Sequence, residues 1–174
     1  PGAKAINVDT WKIDSYSGGA HVTINTTGSI GDIYLYSEGN KTEDFTKSTL
    51  NISGGIFGSV TGDENKEYIA SITGGTFSSE PANEYIAKGY TKESDNGKWN
   101  VVPDTSKTYV AQVGVNKYES LADAISAVQE GNTIKMLKDV DNAAGISVNT
   151  GKTFTIDFDG HTYKVNKPGA GSTG

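Results

Sequence analysis

Asp157 and Asp159 stand two positions apart in the run Thr153-Phe154-Thr155-Ile156-Asp157-Phe158-Asp159-Gly160. On an extended strand both carboxylates project to one side. Paired carboxylates at a set separation are the acid and base of glycoside hydrolysis. The competing reading is structural: Asp159-Gly160 is a turn dipeptide, and the carboxylate then serves the backbone. His21 and His161 are the only histidines. Their positions show no metal-ligand spacing, and no nucleophile-elbow pattern accompanies the many serines. No catalytic residue and no enzymatic activity are expected.

Calcium chemistry is the next option. Asp63-Glu64-Asn65-Lys66-Glu67 and Asp139-Val140-Asp141-Asn142 each offer oxygen ligands at alternating positions, which Ca²⁺ favours. Neither completes an EF-hand loop, so both read as ordinary polar loops. The expectation is no cofactor and no metal, with Ca²⁺ an unsupported option. The best binding candidates are aromatic. In Ile33-Tyr34-Leu35-Tyr36, alternation turns Ile33 and Leu35 to a core and throws Tyr34 and Tyr36 outward. Two tyrosines on one sheet face suit stacking on sugar rings or anchoring a protein. The alternative is that a neighbouring loop buries them. Trp11 and Trp99 fit core or surface, with Trp99 placed to pin a hairpin.

These residues need short strands to carry them. Hydrophobic residues make up 34% of the 174-residue chain and Gly accounts for 22 positions. That balance suits many strands with tight turns rather than a helical bundle. Net charge is -6, so nucleic acid and anionic membranes are poor partners. All 15 basic residues are Lys, which lacks the planar fork that carboxylate and phosphate sites prefer. There is no Cys, which excludes disulfides and thiolate zinc sites and is common in exported Gram-positive proteins. No apolar run approaches the roughly 20 residues of a membrane helix. Both ends, Pro1-Gly2-Ala3 and Lys167-Pro168 to Gly174, look cut from a longer protein.

A repeat organises the middle. Leu50-Asn51-Ile52-Ser53-Gly54-Gly55-Ile56-Phe57-Gly58-Ser59 matches Ala70-Ser71-Ile72-Thr73-Gly74-Gly75-Thr76-Phe77-Ser78-Ser79, twenty residues on. Such a period is that of a solenoid coil. Ile52 and Ile72 then point inward, the glycine pair turns a corner with positive φ, and Phe57 lies over Phe77 at roughly 4.8 Å strand spacing. Two similar hairpins, or two Ig-type sandwiches, are the alternatives. Val22 to Ile24 and Ile33 to Tyr36 read as earlier strands, and Ser17-Gly18-Gly19 as a degenerate corner.

Further on, Glu80 to Gly89 reads as a short helix with Pro81 in its first turn. A hairpin follows around Asn96-Gly97, and Pro103 to Lys107 reads as a linker. Strands are expected at Tyr109–Val113 and Val115–Tyr118, then a helix over Ser120–Glu130 with Leu121, Ala124, Ile125 and Val128 on its apolar face. Thr133–Leu137, Ile146–Val148, Thr153–Phe158 and His161–Val165 read as strands. In the third of these, Phe154, Ile156 and Phe158 face inward.

Residues 118–125 (YESLADAI), 131–140 (GNTIKMLKDV) and 151–162 (GKTFTIDFDGHT) resemble the opening module of pectin-lyase-like β-helix repeat regions. Such regions belong to large adhesin-like cell-surface proteins of Gram-positive gut bacteria. Residues 72–77 (ITGGTF), 85–90 (YIAKGY) and 97–101 (GKWNV) resemble the closing module of the same proteins. The likeness covers residues 50–165 well and 1–49 poorly. It implies a mainly β chain of right-handed parallel β-helix (solenoid) coils with short capping helices. Residues 1–103 would be the last coils and cap of one β-helix, 104–107 a linker, and 108–174 the cap and first coils of a second, truncated one. The β-helix lyases use an Arg beside the sugar carboxylate, and this chain has none.

The expected role is a non-enzymatic, extracellular cell-surface module, an adhesion or spacer segment of a larger protein. Its partner would be a host or microbial surface glycan or protein, without membrane insertion of this segment. A carbohydrate-binding module using Tyr34 and Tyr36 is the alternative, and a polysaccharide lyase or hydrolase a further one.

Overall fold

The computed structural model describes residues 4–13, 16–37 and 46–167. Residues 1–3 and 168–174, in the two ends read above as cut, lie outside them, as does the Trp11 side chain. The chain forms a mainly β solenoid and divides into two compact units, Pro1–Pro103 and Asp104–Gly174.

In the first unit, the second and third coils each contribute one strand to each of three sheets, whereas the first contributes β-strands to two and meets the third only through the parallel bridge of Ser29 with Ile56. The first coil holds β1 (Ile6–Ile13), the returning strand β2 (Tyr16–Gly19) and β3 (His21–Ile24). The second holds β4 (Ile33–Ser37), β5 (Ser48–Ile52) and β6 (Ile56–Phe57). The third holds β7 (Val60–Gly62), β8 (Tyr68–Ile72) and β9 (Thr76–Phe77). Strands from successive coils pair in parallel: β1 with β4 and β4 with β7, β3 with β5 and β5 with β8, and β6 with β9. Ile52 pairs with Ile72 and Phe57 with Phe77, so one 20-residue repeat is one coil. Neither stacked hairpins nor Ig sandwiches produce such parallel ladders.

Alternation fills the interior. Ile33, Leu35 and Ser37 of β4 are buried while Tyr34 and Tyr36 are half-buried, and β5 repeats the pattern with Ser48, Leu50 and Ile52. Val8, Ile33, Leu35, Leu50, Ile52, Phe57, Ile72 and Phe77 join one core. Each fully buried apolar side chain contributes roughly 1.5–3 kcal/mol. The glycine corners behave as their sequence requires. Gly55 and Gly75 have φ of +135° and +108°, and a Cβ on Gly74 would meet Ser53 O at 2.4 Å.

Among the described residues three polar ones, Thr10, Ser37 and Ser48, are fully buried, and each is satisfied. Thr10 Oγ1 lies 2.6 Å from Ser48 Oγ, which donates to Asp9 O at 2.8 Å. Ser37 Oγ donates to Asp63 Oδ1 at 2.8 Å. All lie where the β1–β4–β7 sheet gives way to the β3–β5–β8 sheet.

The third coil is closed by β10 (Tyr90–Asp95) and β11 (Lys98–Pro103), a hairpin turning on Asn96 (φ +49°) and Gly97 (φ +75°). β11 lies antiparallel on β9, with Trp99 opposite Phe77. The helix expected over Glu80–Gly89 is instead a single 3₁₀ turn, Asn83–Tyr85. Ala82 and Ile86 flank it in extended conformation, and Ile86 bridges Ile72 in parallel. The open edge of β8 thus claims the backbone that a helix would have used. Ser17-Gly18-Gly19 is not a corner; it lies in β2, antiparallel to β1.

In the second unit, β12 (Ala111–Val113) pairs antiparallel with β13 (Asn116–Tyr118) and with β14 (Thr133–Met136). Between β13 and β14, α1 (Leu121–Ala127) packs Leu121, Ala124 and Ile125 into the second core with Val128, Ile134 and Met136. Ser120 Oγ accepts from Asp123 N at 3.0 Å and donates to the Asp123 carboxylate at 2.7 Å. The shorter Asp bonds the cap hydroxyl instead of reaching the backbone. The helix stops earlier than the expected Glu130, because Val128 is extended. Lys152 Nζ then binds the released carbonyls of Ile125 and Ser126 at 2.7 and 3.0 Å.

A second turn stacks in parallel on the first. β16 (Thr155–Asp157) pairs with β14, and β17 (Tyr163–Lys167) with β15 (Val140–Ala144). Ile146–Val148 is not a strand: pairing with β17 begins at Val140, and Ile146 and Val148 are exposed. Phe154 and Ile156 pack on the core as expected, but Phe158 is 41% exposed, and among the described residues no strand pairs with the outer edge of β16.

Candidate functional site

Tyr34 and Tyr36 project from the outward face of β4, since Ile33, Leu35 and Ser37 take the inner one. Tyr34 lies in register between Asn7 and Thr61, and Tyr36 beside Asp9. Asn7, Asp9 and Thr61 are exposed, while both tyrosines are half-buried. The result is an outward face carrying two aromatic rings, with carboxylate, amide and hydroxyl groups in register beside them. It can offer ring stacking together with hydrogen bonds.

The carboxylates singled out for chemistry are taken up by the backbone. The Asp63 carboxylate accepts from Ser37 N and Ser37 Oγ, and also from Asn65 N at 3.1 Å and Lys66 N at 3.2 Å. It ties the loop after β7 to the end of β4. Asp157 Oδ1 accepts from Asp159 N at 2.9 Å, and Asp159 (φ +47°) and Gly160 (φ +80°) form the turn itself. Asp159 also pairs with Lys135 at 3.0 Å, which raises the Lys135 ammonium above its ordinary pKa. The two carboxylates are therefore a turn and an ion pair.

Asp139 accepts from Thr162 N at 2.8 Å, with His161 Nδ1 at 3.5 Å. The Thr162 N–H, then the neighbouring His161, lowers the Asp139 pKa. Asp141 pairs with Lys164 at 3.2 Å. His21 Nδ1 lies 2.9 Å from Thr49 Oγ1 on the β3–β5 face. The two histidines fall in different units, and among the described residues no three His, Asp or Glu side chains gather as a metal cage would require.

Two features escaped the sequence reading. Asp32, at the start of β4, accepts from Ser59 N at 2.8 Å and Ser59 Oγ at 2.9 Å, one coil away. The Ser59 hydroxyl, then its N–H and Lys4, holds the Asp32 carboxyl below its ordinary pKa. With Ser37 and Asp63 at the other end, β4 and β7 are clamped at both ends by an Asp–Ser pair. Nothing in one coil alone signals this, because donor and acceptor lie 27 and 26 positions apart.

The second feature is a groove of about 390 Å³ between the 3₁₀ turn and the closing hairpin. Trp99, Tyr90 and Ile86 supply its apolar wall, and Glu80, Asn83 and Lys92 its polar one. Lys92 is already committed there. It bonds Glu80 at 2.6 Å and Pro81 O at 2.8 Å, and its ammonium sits 5.8 Å from the centre of the Trp99 ring. Trp99 therefore pins the cap.

Among the described residues no helix is long and apolar enough to cross a membrane. No family model, curated protein or solved structure matches this chain.

Proposed function

We propose that this chain is a non-enzymatic, extracellular cell-surface module, serving as an adhesion or spacer segment of a larger surface protein. The observation that carries the reading is the unbroken parallel stacking of three coils in the first unit. Backbone ladders and a column of packed side chains resist bending, which is what a spacer requires. Engagement of Asp63, Asp157 and Asp159 in turns and ion pairs favours a structural use of the acids over a catalytic one. The cysteine-free, Gly-rich composition and the resemblance of residues 50–165 to β-helix surface proteins support the location.

Prolonged incubation with neutral and acidic polysaccharides, followed by assays for new reducing ends and unsaturated sugars with and without Ca²⁺, tests the non-enzymatic reading. No product is expected; sustained release that scales with protein concentration would overturn it. Immunolabelling of intact cells of the source organism tests the location, and signal confined to permeabilised cells would refute it.

A carbohydrate-binding module is the second reading, favoured by the outward pair Tyr34 and Tyr36 with polar side chains in register beside it. Glycan-array binding that is lost in Tyr34→Ala/Tyr36→Ala supports it. Binding that survives this double substitution refutes the assignment to these residues.

A further inference from the structure

The hairpin that closes the first unit turns on the chain's only Asn-Gly dipeptide, Asn96-Gly97. Both residues are exposed, and a Cβ at position 97 would meet nothing within 4 Å. The Gly97 N–H donates no hydrogen bond among the described residues. The Asn96 amide nitrogen donates to Asp95 Oδ1 at 2.9 Å. An unengaged backbone nitrogen therefore follows directly on an exposed carboxamide. Every other asparagine precedes a residue whose side chain hinders approach to that nitrogen. The Asp159-Gly160 turn of the second unit has similar φ angles. Its side chain is instead an ionised carboxylate paired with Lys135, which is a poor electrophile.

We propose that Asn96 is a site of spontaneous deamidation, and that the reaction loosens the cap of the first unit. Solvent base removes the Gly97 N–H proton, and the nitrogen attacks Asn96 Cγ to form a cyclic imide. The Cγ–Nδ2 bond breaks, and Nδ2 leaves as ammonia after taking a proton from water. A water molecule then opens the imide at either carbonyl. Cleavage of the bond to Cγ leaves aspartate; cleavage at the main-chain carbonyl leaves isoaspartate, whose backbone runs through Cβ. Either product sets a new carboxylate beside Asp95, so repulsion replaces the hydrogen bond that Asn96 donated. Isoaspartate also adds a carbon to the backbone of a two-residue turn, whose fit to the strand twist depends on its length. Trp99, which pairs with Phe77, lies next to Lys98 at the start of β11, so the strain enters the strand that covers the core. The inference does not depend on the role proposed for the chain.

Peptide mapping of the folded, unmodified chain during storage at mildly alkaline pH tests it. Aspartate and isoaspartate should accumulate at position 96 ahead of every other asparagine, with matching release of ammonia. Gly97→Ala should slow the conversion by roughly tenfold or more, a barrier change of about 1.4 kcal/mol. Asn96→Gln, which would need a larger ring, should abolish it on the same timescale. Hydrogen exchange gives a second readout: amides of residues 98–103 should exchange faster in the isoaspartate fraction. Conversion only in denatured chain, or at an equal rate at other asparagines, overturns the assignment of the site. Unchanged exchange in the isoaspartate fraction overturns its effect on the cap.

Discussion

The rings of Phe57 and Phe77 lie stacked, with centroids 5.0 Å apart and planes inclined by 16°. The residues are twenty positions apart, yet they face each other because their strands pair in parallel within consecutive coils. This geometry lies within the range that aromatic rings prefer, and both side chains are almost completely buried. The stack ties the third coil to the second and carries the cap through Trp99, which pairs with Phe77.

Phe77→Ala removes this link and opens a cavity beneath the cap. A loss of about 3–5 kcal/mol is expected, measured by urea unfolding of the first unit. Exposed Phe158, replaced by Ala, should cost far less.

The corner glycines differ in their demands. Gly75 combines φ +108° with a Phe57 ring atom 3.2 Å from where a Cβ would stand, whereas Gly97 has φ +75° and open space. Gly97→Ala should cost roughly 1 kcal/mol for the left-handed backbone, and Gly75→Ala about twice that or more. Equal costs at the two positions would show that the corner is not under the constraint described.

Much of this architecture was legible in the sequence. The matched Ile, Gly-Gly and Phe of residues 50–59 and 70–79 announced the coil, and the Asn96-Gly97 turn and the apolar face of α1 could be read locally. What could not be read depends on partners distant in the chain. A Pro-led run at 80–89 looks helical until the free edge of β8 takes Ile86. Ser17-Gly18-Gly19 looks like a corner until β1 takes it as a strand partner. The outward placement of Tyr34 and Tyr36 followed from alternation, but the clamping of Asp32 and Asp63 by serines one coil away had no local signal.

The Asp32–Ser59 clamp makes a prediction about pH. The folded-state pKa of Asp32 is lowered, so its contribution is present above the unfolded value of 3.8 and disappears as pH falls through the folded value. Ser59→Ala should therefore be less stable than the unmodified protein near neutral pH, with the difference shrinking below pH 3.8. Denaturant melts at several pH values check this; a constant difference down to pH 2 would contradict it.

In the second unit, Ser120 caps α1 through the Asp123 N–H. Ser120→Ala should cost about 1 kcal/mol, and Ser120→Asp should recover less than an ordinary cap exchange because Asp123 stands beside it. Thermal melts of the pair of variants measure both effects.

Nuclear Overhauser spectroscopy of the isotope-labelled chain probes the coil stacking most directly. Ring-to-ring contacts between Phe57 and Phe77, with the inter-strand proton pattern of parallel pairing from Leu50–Ala70 to Ile52–Ile72, are the predicted result. A spectrum lacking those contacts, or one with the antiparallel pattern across the same residues, would contradict a solenoid built from this repeat.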